Sequence, residues 1–292
     1  MCIRDSSWVA PDGRLFGISG SNMYYLDTSG EGTLTEAGTF PGGNIGATST
    51  AVMYQPGKIL QVGGGAFHNS DNSPSSAAAT IIDINSGSPV ITEASPMHQP
   101  RHWATATVLP DGRVLVTGGS EHQNQLRGVG YTPEIWNPVT DTWTQVSSEE
   151  KARLYHSSAL LLPDGRVLSA GGGSPGPVTN LNAQIYSPDY LENPDFGPRP
   201  TLAAPSVLEY GTDFSVDVSP GVNRITLVRA GAVTHSFNSG QRFIDLEVTG
   251  SGTGLSVTAP SGPTIAPPGT YLMFALNNFG HPSVAQLVEF NP

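Results

Sequence analysis

The chain has 292 residues, a formal charge of −11 and a single cysteine. That length allows roughly one or two domains with real cores, and one cysteine excludes an intrachain disulfide or a cysteine-based metal cage. Thirteen scattered Lys and Arg residues disfavour nucleic acid and anionic membrane surfaces, and no apolar run approaches the roughly 18 residues of a membrane span.

Residues 1–7 (MCIRDSS) carry a basic residue without an apolar stretch behind it, so they do not read as a secretory signal. They are expected to be an atypical leader, with the chain beginning partway through a fold. Thirty-five glycines and 25 prolines then punctuate short Val/Ile/Leu/Thr runs, the pattern of an all-β protein with many tight turns.

A strand, turn and strand recur around Pro11-Asp12-Gly13-Arg14, Gln55-Pro56-Gly57-Lys58, Pro110-Asp111-Gly112-Arg113 and Pro163-Asp164-Gly165-Arg166. The prolines at 11, 56, 110 and 163 set a period of 45 to 54 residues, matching four-stranded propeller blades and the roughly 50 residues of kelch blades. Third strands are predicted at Asn22–Asp27, Thr80–Ile84, Pro133–Asn137 and Ala183–Ser187, and Asp141-Thr142-Trp143 turns into a fourth. Gly-Gly pairs at 63–64, 118–119 and 171–172 close the second strands, where absent side chains permit close approach between blades. Residues 8–193 therefore read as a kelch-type β-propeller with four blades present. Such a partial ring leaves open strand edges, so completing material outside this sequence is expected.

Four prolines within Pro194–Pro205 break the period and mark a linker over 194–205. Beyond it, alternating strands near Asp213–Val218, Arg224–Ala230, Phe243–Val248, Leu255–Thr258, Tyr271–Asn277 and Ala285–Phe290 predict an immunoglobulin-like β-sandwich over 206–292.

Two propeller segments are near copies: Arg101–Gly119 (RHWATATVLPDGRVLVTGG) and Arg153–Gly172 (RLYHSSALLLPDGRVLSAGG). They diverge where the second has Tyr155-His156 and the first Trp103-Ala104. On spacing alone Tyr155-His156 is an ordinary inner-strand pair and His235 a loop histidine. Successive strand residues face opposite ways, so this pair can share a ligand only where the backbone bends at the strand entrance. Arg101 and Arg153, at matched positions, are expected to tie blades together by hydrogen bonds. A cleft-lining place is the alternative for Arg101 and for Trp103, whose other reading is packing between blades.

The stretch 153–191, with TPEIWNPVTDTW at 132–143 and PPGTYLMFALNNFGHPSVA at 267–285, closely resembles the copper-radical oxidases of the galactose oxidase and glyoxal oxidase group. The resemblance runs from about Trp8 to the C-terminus and implies a kelch propeller joined to a C-terminal early set domain. It further implies a copper ion held by Tyr155, His156 and His235, the last on a loop reaching back into the propeller. Tyr155 is the implied general base. The family's radical tyrosine and its cross-linked cysteine belong to regions that precede Trp8. Nothing here matches them, and Cys2 is no substitute. Two imidazoles and a phenolate suit Cu(II) better than Zn, Mg or Ca. His68, His98, His122 and His281 lie in loops without ligand spacing, and His102 precedes Trp103 in the parallel copy, where relatives often carry a histidine two positions later and this chain has Ala104.

The implied activity is extracellular oxidation of a primary alcohol or aldehyde by O2 to give H2O2, by a protein expected to be monomeric. This chain alone is expected at most to bind the metal. The competing reading is a non-catalytic module that binds carbohydrate or protein through its loops.

Overall fold

A computed structural model of the chain describes residues 6–40, 48–65 and 74–292. Cys2 and His68 lie outside the described residues. Three antiparallel four-stranded sheets follow one another: β1 (Ser6–Val9) to β4 (Thr33–Thr39) through β2 (Leu15–Ser19) and β3 (Asn22–Asp27); β5 (Thr50–Gln55) to β8 (Val90–Ala94) through β6 (Lys58–Val62) and β7 (Ala79–Asp83); and β9 (His102–Val108) to β12 (Thr142–Gln145) through β10 (Val114–Ser120) and β11 (Glu134–Asn137). Among the described residues the fourth sheet has three strands, β13 (Ser157–Leu161), β14 (Val167–Gly171) and β15 (Ala183–Tyr186). After β15, Pro188 opens the single-turn helix α1 (Asp189–Glu192) and Pro194 follows. Proline has no N–H to give a sheet, so no fourth strand forms from this stretch.

The repeated turn has one geometry. Asp12, Asp111 and Asp164 each accept the backbone N–H two residues on, at 3.1, 3.0 and 3.1 Å, and also grip that arginine's side chain. Gly13, Gly112 and Gly165 take φ of +90°, +91° and +83°, where a side chain is strained. Inner strands are buried on both faces because neighbouring blades cover them: every residue of β9 and β10 is buried, while β4 is mostly exposed.

Close approach at the Gly-Gly pairs is what locks blade to blade. Gly64 and Gly119 donate their N–H to the carbonyls of Arg101 and Arg153, at 2.9 and 2.6 Å. A Cβ on Gly63 would sit 2.5 Å from the Arg101 carbonyl, and one on Gly118 would sit 2.6 Å from Arg153. Gly171 is different, since its nearest neighbour would be 3.9 Å away. Both Gly118 and Gly171 have left-handed φ. Gly118→Ala is therefore expected to destabilise by well over about 1 kcal/mol and Gly171→Ala by less, read as denaturant midpoints. Equal losses would contradict the packing argument.

The C-terminal region is one curled eight-stranded sheet, ordered β16 (Leu202–Ala203), β18 (Asp213–Val218), β23 (Gly254–Thr258), β22 (Phe243–Ser251), β19 (Val222–Arg229), β24 (Gly269–Asn277), β25 (Gln286–Phe290) and β17 (Val207–Leu208). Its two layers share β22, whose Phe243–Leu246 half pairs with β19 and whose Glu247–Ser251 half pairs with β23. β16 falls inside the stretch read as linker from its prolines. In β24, Tyr271, Met273 and Ala275 enter the sandwich core, and the alternate Leu272, Phe274 and Leu276 join the propeller core. That period of two explains why β24 is buried on both faces.

The repeated turns are also the dock for this sheet. Arg224, Arg199 and Arg242 donate to the carbonyls of Asp111, Asp164 and Val9 at 2.9, 2.6 and 3.1 Å, and Thr226 to Pro110 at 2.8 Å. A short hairpin, β20 (Ala232–Thr234) and β21 (Phe237–Ser239), leaves the sheet and packs on the inner strands β5, β9 and β13 of three blades.

Candidate metal centre

Tyr155 and His156 lie just before β13 in a turn closed by the Ser157 N–H on the Leu154 carbonyl at 2.9 Å. His156, the third residue of that turn, has φ +65°, a position that ordinarily takes Gly or Asn. The bend puts both side chains on one side, as anticipated for a strand entrance, and their rings stack with centroids 3.7 Å apart at 28°.

The hairpin brings the third ring. His235 and Ser236 form its two-residue tip, with φ of +50° and +60° between the paired Thr234 and Phe237. Two successive left-handed residues define the primed hairpin turn that favours Asn-Gly, so His-Ser is strained there. Ser236 holds the tip in place. Its N–H donates to the Ser157 carbonyl at 3.1 Å, and its hydroxyl lies 3.2 Å from that of Ser157 and donates to the Leu154 carbonyl at 3.4 Å. These anchors flank Tyr155-His156. His235 consequently stands edge-on to His156, centroids 4.6 Å apart at 71°, and 6.0 Å from the Tyr155 ring.

Both imidazoles are oriented through Nδ1. His156 donates Nδ1–H to the Ser174 carbonyl at 2.7 Å, and His235 Nδ1 shares a hydrogen with the Thr234 hydroxyl at 2.6 Å. With Nδ1 engaged in each ring, Nε2 is the nitrogen that a metal could use. Among the described residues no group of three or more His, Cys, Asp and Glu side chains could hold a metal. The Tyr155 phenol is the further side-chain donor at these rings, and a set of two N and one O would suit Cu(II). Tyr155 is nearly buried while His156 is exposed, so the cluster opens on the His156 side.

The other candidates separate. Trp103 is 5% exposed and packs its ring 4.5 Å from that of Tyr155, so it sits at the cluster as a packing partner across the blade boundary. Arg101 does not line the cleft. It is fully buried, and its guanidinium donates to the carbonyls of Gly118, Gly130 and Thr132 and to Glu134. Arg153 makes the matching bonds to Gly171, Asn182 and Gln184. His98 pairs with Glu134, His102 with Thr48, and the buried His281 has its pKa lowered, chiefly by burial. Sequence reasoning missed the Ser236 anchor and the 173–176 segment behind His156. A His-Ser tip hides a hairpin that Asn-Gly would have announced.

Residues 199–290 match the model of the galactose oxidase-like early set domain. A galactose oxidase of Gibberella zeae is 33% identical over 92% of this chain and 42% of its own length. Residues 199–290 thus belong to the galactose oxidase-like early set family, and the chain is similar along most of its length to galactose oxidases and aldehyde oxidases. An aldehyde oxidase of Vitis pseudoreticulata is 31% identical over 97% of the chain and 61% of its own length. A fungal alcohol oxidase of the AA5 family, solved in complex with copper, superposes with a TM-score of 0.89 at 28% identity, over 98% of this chain and 63% of that one. The chain thus spans less than two thirds of each of these relatives. Among the described residues no helix is long and apolar enough to cross a membrane.

Proposed function

We propose that Tyr155, His156 and His235 hold a copper ion, and that this chain supplies the metal-binding part of an oxidase converting a small primary alcohol or aldehyde with O2 to the oxidised product and H2O2. The observation that carries this reading is the pinned hairpin, which keeps a strained His235 against a strained His156 through three contacts of Ser236. Strain of this kind persists where surrounding structure over-determines it, and it gathers at working sites. Bound copper would supply Lewis acidity and one-electron redox capacity.

The residues do the rest. Both histidines present Nε2, and the Tyr155 Oη can accept a proton from a substrate hydroxyl as general base. Trp103 and the buried setting of Tyr155 keep water from one side of the phenol, while the exposed His156 side leaves an approach for a small substrate. An extracellular location and a monomeric state go with the same family reading.

Titrating the chain with Cu(II) is expected to raise a tyrosinate-to-copper charge-transfer band. His156→Ala should abolish it, and Tyr155→Phe should remove it while leaving weaker copper binding through the imidazoles. A band that survives His156→Ala would overturn the assignment. No copper binding by the wild-type chain would leave the carbohydrate- or protein-binding module as the better reading.

A further inference from the structure

We infer that Asn124, from the long loop after β10 in the neighbouring blade, is a positioning residue for His156, acting through the backbone of Gly173–Gly176. Its connection with copper rests on the reading just proposed, whereas its effect on the imidazole does not.

Three consecutive carbonyls carry the argument. The Asn124 side-chain amide donates from Nδ2 to the carbonyls of Gly173 at 3.1 Å and Pro175 at 2.8 Å. The carbonyl between them, on Ser174, accepts Nδ1–H of His156 at 2.7 Å. Residues 174–177 form a turn next to Gly173, whose φ is +96°. One amide gripping the carbonyls on either side fixes this turn, and with it the Ser174 carbonyl that meets the histidine. The amide's orientation follows from chemistry, because two carbonyl acceptors require the nitrogen.

The same segment holds the other candidate ligand. Gly173 donates its N–H to the Tyr155 carbonyl at 2.7 Å. Glycine is needed on both sides of the clamp. A Cβ at Gly176 would stand 2.2 Å from Asn124 Nδ2, and one at Gly173, where φ is +96°, would stand 2.5 Å from Val178. Asn124 is 8% exposed, and its Oδ1 has no partner among the described residues. Among the described residues its side-chain hydrogen bonds are directed at the segment behind His156. Because a carbonyl only accepts, His156 is held with hydrogen on Nδ1 and a free lone pair on Nε2.

The test uses two variants. Asn124→Asp keeps the shape, removes both donors and sets a carboxylate against two carbonyl oxygens. Asn124→Ala removes the donors without adding charge and carries the same expectation if the first does not fold. Long-range nitrogen NMR of the metal-free chain is expected to show His156 fixed as the Nδ1–H tautomer in the wild type and mixed in the variants. Cu(II) affinity should fall about 10- to 100-fold, with an altered electron paramagnetic resonance spectrum. A fixed tautomer and unchanged copper affinity in both variants would overturn the inference. If the wild type binds no copper, the copper reading fails, and the tautomer measurement alone still decides whether Asn124 positions His156.

Discussion

Arg101→Met is expected to cost about 3–5 kcal/mol of stability at neutral pH, the magnitude for stranding one partner of a buried ion pair. Arg101 and Glu134 are both 0% exposed and meet at 2.9 Å. Burial pushes the Glu134 carboxyl up, but the His98 backbone N–H and the Arg101 charge outweigh it and hold the pKa below the usual carboxylate range. A lowered folded pKa means that Glu134 contributes stability above that range, which is lost as pH falls through the folded value. Removing the arginine raises the folded pKa, so the penalty should shrink as pH drops from 7 toward 4.

The fourth blade repeats the device with altered parts. Gln184 occupies the place of Glu134 and accepts the N–H groups of Glu150 and Lys151, as Glu134 accepts those of His98 and Gln99. The negative charge comes instead from Glu149, 3.7 Å from Arg153. Burial dominates there, and the Glu149 pKa is raised despite the Ser169 hydroxyl and the two arginines. Its contribution is therefore favourable at low pH and lost as pH rises through the folded value. Protonation can relieve the carboxylate left by Arg153→Met, so this variant should lose less than Arg101→Met. Denaturant midpoints at pH 7 decide the matter, and an equal or larger loss in Arg153→Met would refute the contrast.

Phe237→Ala is expected to cost about 3–5 kcal/mol, the range for emptying a buried phenylalanine site. Phe237 is 2% exposed, lies in the core of the first two blades and meets Trp8 edge-on at 6.2 Å. It follows directly after His235-Ser236, so it anchors the strand that carries the tip. Copper affinity should fall at least tenfold with the loss of stability, because a poorly held ligand weakens a metal site. Ser239→Ala, on the exposed end of the same hairpin, should stay within about 0.5 kcal/mol of the wild type. If Phe237→Ala is destabilised yet binds copper unchanged, the packing of this ring does not position His235.

Much of the propeller was legible in the residues. The Pro-Asp-Gly-Arg turns appear where expected because Asp and Gly encode the turn locally, through a side-chain bond to the backbone and a left-handed φ. The Gly-Gly pairs could be read for the same reason, as positions where a Cβ cannot fit. The short hairpin could not be read, since His-Ser carries no turn preference and its strands of three residues have no period. β16 was hidden by prolines, and the three-stranded fourth sheet by a third strand that looks like the others. Arg101 was open to two readings from sequence, and burial against Glu134 decided between them.

Local chemistry in the sequence thus determined the all-β class, the blade period and the turns, and whole segments carried the resemblance to the galactose oxidase group. It also marked Tyr155-His156, because a repeat makes a departure from itself visible. The tertiary structure alone decided that His235, about 80 residues away in sequence, meets that pair, because Ser236 and Phe237 pin the hairpin between blades. It also decided that Asn124 stands behind His156. Contacts between distant segments depend on packing geometry, which no local pattern encodes.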